Sequence, residues 1–85
     1  MKNCKQFKFK KPAEKFLKSR SRKEQVRLLA KIYELPSGEH IKKLEGYDNC
    51  YRLRIGDFRV IYEMHHDETL IILISHIGNR GDVYK

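Results

Sequence analysis

Residues 51–62, YRLRIGDFRVIY, decide the fold of this chain. Polar and apolar side chains alternate strictly from Tyr51 to Ile55, which is the pattern of a strand with one buried face. Gly56-Asp57 then interrupts the pattern, and residues 58–62 return. A glycine in the first central position of a two-residue loop indicates a type II′ turn. The stretch is therefore predicted to form a tight antiparallel hairpin.

The length of the loop also predicts which residues face each other across the hairpin. The apolar residues share one side, in the pairs Ile55/Phe58, Leu53/Val60 and Tyr51/Tyr62. On the other side Arg54 lies opposite Arg59, with Arg52 two residues further along. Like charges opposed across strands destabilise a sheet by ~0.2–1 kcal/mol, whereas guanidinium groups match phosphate oxygens. The arginines indicate either an anion-binding face or a solvated face on which they splay apart.

Upstream of the hairpin the pattern indicates one strand and one short helix. Residues 5–10, KQFKFK, alternate as a half-buried strand does. Pro12 suits the first turn of a helix because it lacks the N–H that would have no partner there. A helix is predicted from Pro12 to Lys18.

A second helix is predicted over residues 22–35. Ser21 offers a capping oxygen, with Glu24 three residues later as in a capping box. A buried stripe is predicted from the three-and-four spacing of the apolar residues Val26, Leu29, Ala30 and Tyr33. Pro36-Ser37-Gly38 is expected to end the helix.

Downstream of that helix the sequence indicates a connection and one more strand. Residues 39–46 are interpreted as a basic connection that contains Lys42 and Lys43. His65-His66-Asp67 is expected to lie in a turn. Residues 69–77 are almost wholly aliphatic or β-branched, as in a central strand buried on both faces.

Together these elements predict an α+β fold in a single domain over residues 1–85. A strand and two helices precede a three-stranded antiparallel meander, and the helices pack on one face of a small sheet.

The charge of the chain favours a polyanionic partner. Nineteen Lys and Arg residues against 11 acids give a net charge of +8 and a pI near 9.7. The excess lies in residues 1–43, with 14 basic and four acidic side chains, against five and seven in the remainder. Nucleic acid is the usual partner of such a domain. A lysine-rich solvated surface is the alternative.

Other classes of protein are disfavoured. Cys4 and Cys50 are expected to be free thiols, and the four histidines show no metal-ligand spacing, so we expect neither a metal nor another cofactor. The longest aliphatic run, residues 70–74, is far too short to cross a bilayer. No apolar run follows the N-terminal charges as in a cleaved signal. We therefore expect a cytoplasmic protein.

Three stretches of the chain resemble the RelE/ParE superfamily of type II toxin–antitoxin toxins, and its RelE-like branch in particular. They are residues 43–46 (KLEG), 51–63 (YRLRIGDFRVIYE) and 77–84 (IGNRGDVY). The resemblance implies a toxin that an acidic antitoxin holds inactive. Once free, such a toxin enters the ribosomal A site and cleaves the exposed mRNA codon.

The resemblance also implies the site residues. The superfamily's two basic positions before the hairpin match Arg52 and Arg54, and its arginine on the returning strand matches Arg59. Its terminal arginine and tyrosine match Arg80 and Tyr84. We assign Arg54, Arg59 and Arg80 to neutralising the phosphate. Arg52, Lys42 and Lys43 are expected to bind RNA.

The chain departs from its relatives at the positions that move protons. Arg52 and Arg54 replace lysines, and arginine is effectively never deprotonated. Asn79 replaces a frequent histidine. Tyr84 is then the preferred general base, because surrounding guanidinium groups favour its phenolate. His76 is the weaker candidate, since a histidine on an apolar strand is more often structural.

Two other functions stay open on the sequence alone. A toxin of the ParE branch would inhibit DNA gyrase without catalysis, although Arg80 and Tyr84 favour the nuclease. A decayed toxin would bind only antitoxin or RNA. In each toxin hypothesis an acidic, partly disordered antitoxin complements the basic half of the chain.

Overall fold

The computed structural model describes residues 5–79 and contains two helices and five strands. In chain order they are β1 Lys5–Phe9, α1 Lys11–Lys18, α2 Arg22–Ile32, β2 Ile41–Lys43, β3 Cys50–Ile55, β4 Phe58–Asp67 and β5 Thr69–Asn79. The strands form one sheet in the order β1-β5-β4-β3-β2. β1 is parallel to β5 and the other neighbours are antiparallel. The predicted α+β order is confirmed, including the β3-β4-β5 meander.

The hydrophobic core lies between the two helices and one face of the sheet. The helical side contributes Ala13, Leu28, Ile32 and Leu35, all of them fully buried. The sheet contributes eight residues, namely Leu53, Ile55, Phe58, Val60, Tyr62, Ile72, Ile74 and Ile77. Both helices cover the same face, as predicted, and no helix among residues 5–79 covers the opposite face of the sheet, which we call the open face.

The start of α2 is confirmed, whereas its predicted buried stripe is wrong. The Ser21 hydroxyl accepts a hydrogen bond from the Glu24 amide at 3.2 Å, as an N-cap does. The helix buries Leu28 and Ile32, while Val26 and Tyr33 are 60% and 51% exposed. The segment carries two interleaved apolar stripes at helical spacing, and the periodicity alone could not decide which one meets the sheet.

Helix α2 also ends earlier than predicted, at Ile32. The backbone continues in tighter turns, in which the Leu35 amide donates to the Ile32 carbonyl at 3.0 Å. The ammonium group of Lys5 donates to the carbonyls of Tyr33 and Leu35 at 3.4 and 2.8 Å. A cation on β1 thus satisfies carbonyl groups that the end of the helix leaves without partners.

Two segments predicted to be irregular are strands. The predicted basic connection contains β2, which pairs with β3. The predicted turn at His65-His66-Asp67 belongs to β4, and the chain reverses at Glu68 instead, with a φ of 67°. In both places pairing with a longer neighbour extends the sheet beyond what local sequence indicates.

Strand β5 lies inside the sheet, between β1 and β4, but it is not buried equally on both faces. Ile72 and Ile74 are fully buried, while Ile71 and Leu73 are partly exposed on the open face. A β-bulge interrupts the strand: Ile61 pairs with His76 and Tyr62 with Ile74, which leaves Ser75 as the extra residue. The Ser75 hydroxyl donates to the Ile61 carbonyl at 3.0 Å. Beyond the bulge the alternation is inverted, so that Ile77 faces the core and His76 faces the open side.

The buried Tyr62 makes stability dependent on alkaline pH. Its ring is 1% exposed and stacks on Tyr51 at a centroid distance of 5.5 Å. Burial, and secondarily Tyr51, raises the pKa of Tyr62 to about 12. The unfolded chain releases this proton near pH ~10, so the stabilisation is complete below that pH and is lost as the pH rises towards 12.

We expect Tyr62→Phe to flatten the fall in unfolding free energy between pH 10 and 12. Urea unfolding at intervals of half a pH unit measures that slope. Tyr47→Phe is the control, because Tyr47 is 61% exposed. Equal slopes in the wild type and Tyr62→Phe would contradict the assignment.

Candidate functional site

The β3–β4 hairpin has the predicted register. Arg54 pairs with Arg59, and Arg52 pairs with Ile61. Gly56 has a φ of 58°, whereas the φ of Asp57 is not positive. This combination is that of a type II′ turn. A Cβ at position 56 would collide with the guanidinium group of Arg27 from α2. The positive φ is what requires glycine here, because the exposed guanidinium end of Arg27 is flexible and can move aside.

The open face of the sheet carries two adjacent rows of residues that include the hairpin arginines. One row runs across four strands, from Lys42 through Arg52 and Ile61 to His76. The next row contains Arg54, Arg59 and Gly78. Rows on one face lie two residues apart, and neighbouring strands lie about 4.8 Å apart. We call Lys42, Arg52, Arg54, Arg59 and His76 the cationic face.

Arg52 has the most distinctive environment on this face. Its Nε–H is buried and has no hydrogen-bond partner among residues 5–79. A buried donor that belongs to a charged group costs more than ~1–3 kcal/mol when it is left unsatisfied. Such groups are rare in native structures. An oxygen atom of a bound anion would satisfy it.

Glu63 is the acidic residue of the paired strands that lies closest to this face, and its carboxylate already contacts other side chains. Glu63 lies on β4 two residues beyond Ile61, and it contacts the Lys10 ammonium at 3.7 Å and the His65 imidazole at 3.0 Å. Within residues 5–79 no ion pair joins a carboxylate to Arg52 or Arg54. The positive charges of Arg52 and Arg54 are therefore not neutralised by a carboxylate of the described residues, and they can attract an external anion.

Two other ionisable groups near the hairpin are not candidates for proton transfer. Tyr62 lies on the core face, and its raised pKa keeps it neutral at physiological pH. Cys50 lies opposite Glu63. Burial, and secondarily the Glu63 carboxylate, raises the pKa of the Cys50 thiol, which disfavours the nucleophilic thiolate.

The structure brings together some of the predicted site residues and separates one. Arg52, Arg54, Arg59 and Lys42 share the open face. Lys43 pairs with Tyr51, which belongs to the core side of β3, so Lys43 projects away from them. Arg80 and Tyr84, like Cys4, lie outside the described residues.

His76 lies on the open face, which sequence reasoning did not predict. It is exposed, and it lies beside Ile61 at the end of the Arg52 row. Without the extra Ser75 it would have the same orientation as Ile72 and Ile74 and would point into the core. Because the bulge is not visible in the residue pattern, the sequence favoured a structural role.

The opposed arginines lead to a prediction about stability. Arg54→Gln should stabilise the free protein by ~0.2–1 kcal/mol, because it removes a like-charge pair across two strands. Urea unfolding at low ionic strength measures the gain, which 1 M salt should largely abolish. Lys8→Gln is the control, since Lys8 is an exposed strand cation opposite Leu73. A loss of stability in Arg54→Gln would show that the pair is not repulsive.

Known proteins with similar sequences are toxins. A family model described as the ParE toxin of the type II toxin–antitoxin system parDE matches residues 7–84. RelE1 of Methanocaldococcus jannaschii is 49% identical over 45 residues, covering 53% of this chain and 49% of that protein. Toxin RelE3 of the same organism is 39% identical over 36 residues, covering 42% and 41%. The chain thus matches half or less of the length of these relatives.

Solved structures extend the similarity to almost the whole fold. The RelE–RelB complex from Pyrococcus horikoshii OT3 matches with a TM-score of 0.73 and 30% identity, over 91% of this chain and 96% of that chain. The RelB–RelE antitoxin–toxin complex from Methanococcus jannaschii matches with a TM-score of 0.71 and 29% identity, over 91% and 94%. Since the family model covers residues 7–84, this chain belongs to the RelE/ParE superfamily of type II toxins.

Proposed function

We propose that this toxin is an endoribonuclease that cleaves mRNA in the ribosomal A site and so inhibits translation. The observation that supports it most is the cationic face. Arg54 and Arg59 are opposed there, and the buried Nε of Arg52 has no hydrogen-bond partner in the described part of the chain. An open sheet of this size cannot enclose an RNA strand. The ribosome would therefore hold the mRNA in the reactive geometry.

The proposed reaction needs positive charge and two proton transfers. The ribose 2′-oxygen attacks the adjacent phosphorus and gives its proton to a base. The bond from phosphorus to the 5′-oxygen breaks, and that oxygen receives a proton from an acid. The products are a 2′,3′-cyclic phosphate and a 5′-hydroxyl. Fixed guanidinium groups stabilise the charge that builds on the phosphoryl oxygens.

The described residues divide between charge stabilisation and binding. Arg54 and Arg59 would contact the scissile phosphate, and Arg52 and Lys42 the neighbouring backbone. Lys43, on the other side of the edge strand β2, would reach RNA only around that edge. Arg80 is proposed as a third guanidinium group at the phosphate and Tyr84 as the general base, on the resemblance to the superfamily.

His76 is proposed to carry out one of the two proton transfers. Imidazole both accepts and donates protons near neutral pH, which the arginines cannot do. Its exposure and its position in the Arg52 row support this role.

An acidic antitoxin is the proposed regulator, and the cytoplasm is the proposed location because ribosomes are there. The two similar structures named above are complexes of a RelE with a RelB. The described helices α1 and α2 are too short and too polar for a membrane crossing.

We expect the mRNA cleavage rate on programmed ribosomes to fall ~10²–10³-fold in Arg54→Ala and in Tyr84→Phe. Arg52→Ala should mainly weaken the contacts between the toxin and the mRNA on the ribosome. It should therefore raise the toxin concentration at which the cleavage rate is half of its maximum. Single-turnover cleavage at several toxin concentrations separates the two effects. Lys15→Gln serves as the control, since Lys15 is an exposed cation of α1, on the other side of the sheet. Wild-type cleavage rates in both Arg54→Ala and Tyr84→Phe would remove these two residues from the catalytic site, and an absence of cleavage by the wild type would remove the nuclease assignment.

His76→Ala should lower the single-turnover rate ~10²–10⁴-fold, as the loss of a general acid or base does. The variant should also lose one limb of the pH–rate profile, which a purely structural defect would not cause. His66→Ala is the matched control, since His66 is exposed on β4 near the opposite end of the sheet. An unchanged pH profile in His76→Ala would exclude His76 from proton transfer.

Inhibition of DNA gyrase is the second candidate function, and the match to a family model of ParE toxins favours it. Such a toxin needs no proton transfer, so His76→Ala and Tyr84→Phe would remain toxic. A supercoiling assay distinguishes the candidates. Gyrase inhibition together with intact mRNA on ribosomes would reverse the ranking.

A further inference from the structure

A cavity of about 530 Å³ opens at the edge of the sheet, between helix α2 and the β3–β4 turn. The pairing of β2 with β3 stops at Ile41 and Leu53, and one further bond joins the Arg54 amide to the His40 carbonyl at 3.1 Å. Beyond Arg54 the described chain places no strand along this edge of β3. The volume lies within the range of small-molecule sites, which is roughly 300–1,000 Å³.

One end of the cavity is cationic. Arg27 and Lys31 line it from successive turns of α2, and the Arg27 guanidinium group packs over Gly56 in the hairpin turn. Among residues 5–79 no ion pair joins either side chain to a carboxylate. Two neighbouring cations without such a partner match the oxygen atoms of a phosphate group.

The other end of the cavity carries a carboxylate. Glu34 follows the end of α2, and its Oε1 atom lies 3.6 Å from the position that a Cβ would take at Gly38. Seven residues separate Glu34 from Arg27, which corresponds to about 10 Å at the rise of a helix. The carboxylate therefore lies well away from the guanidinium group and can accept hydrogen bonds from a different part of a ligand.

The wall between the two ends is apolar. Leu53 and Ile55 line the cavity from the sheet and are 3% and 4% exposed. The second acidic residue of the lining, Glu39, has a side chain that is 91% exposed and contacts His40 at 3.9 Å. Because water and salt screen so exposed a charge, it opposes a bound anion only weakly. A cationic end, an apolar wall and a distant acceptor suit the phosphate, the ring and the polar edge of a nucleotide.

We propose that this cavity binds one nucleotide, with its phosphate at Arg27 and Lys31 and an amino group of its base donating to the Glu34 carboxylate. Cytosine carries such an amino group, whereas uracil presents a carbonyl oxygen there. Arg54 lines the cavity and also belongs to the cationic face. A strand whose scissile phosphate contacts Arg54 would therefore continue into the cavity. This link to mRNA rests on the proposed function, whereas the binding of a nucleotide does not.

Titration of isotope-labelled toxin with CMP and with UMP, followed by two-dimensional NMR, tests the site. CMP should shift the amide signals of Gly38 and Gly56, at the two ends of the cavity, but not that of Gly46 in the β2–β3 loop. It should bind at least ~5-fold more tightly than UMP, because only cytosine donates to the Glu34 carboxylate. Glu34→Gln should remove that preference, since an amide both donates and accepts.

The contribution of the cationic end is tested in the same titration. Lys31→Gln should weaken the binding of both nucleotides ~5-fold or more, because it removes a charge-assisted hydrogen bond to the phosphate. Lys23→Gln is the matched control and should change the affinity less than twofold, since Lys23 is an exposed cation of α2 outside the cavity. Equal affinities of the wild type for CMP and UMP, or equal losses in Lys31→Gln and Lys23→Gln, would overturn the site.

Cleavage on programmed ribosomes distinguishes the source of the nucleotide. If it belongs to the mRNA, a change from C to U at one position of the codon should slow single-turnover cleavage by the wild type but not by Glu34→Gln. If a free nucleotide is the ligand, the two toxins should share one codon preference, and CMP should alter the cleavage rate of the wild type more than that of Glu34→Gln. If the wild type cleaves no mRNA but still prefers CMP in the titration, the nuclease proposal fails and the nucleotide site stands.

Discussion

The two-residue turn at Gly56-Asp57 is the constraint on which the fold and the candidate site both depend. It fixes the pairing of β3 with β4. Because side chains alternate along a strand, a slip of β3 by one residue against β4 would turn Arg52 and Arg54 towards the core and expose their apolar neighbours. The glycine is required by its positive φ. The same local geometry thus sets the core and the cationic face.

Those parts of the structure that follow from short-range rules could be predicted from the sequence. The hairpin register, the Ser21 cap and the shared face of the three arginines are of this kind. The rest depends on tertiary contacts. β2 has three residues and exists because β3 offers it an edge. Contact with the sheet decides which of the two apolar stripes of α2 is buried. His76 reaches the open face only because Ser75 forms a bulge.

The open face is costly to the free protein. It places like charges opposite each other, and it buries the Nε–H of Arg52 where none of the described residues accepts its hydrogen bond. Neither feature stabilises the fold, which is supported from the other face by the residues packed beneath the helices. A surface of this kind becomes favourable when an anion neutralises it. Proteins commonly keep such local costs at functional sites.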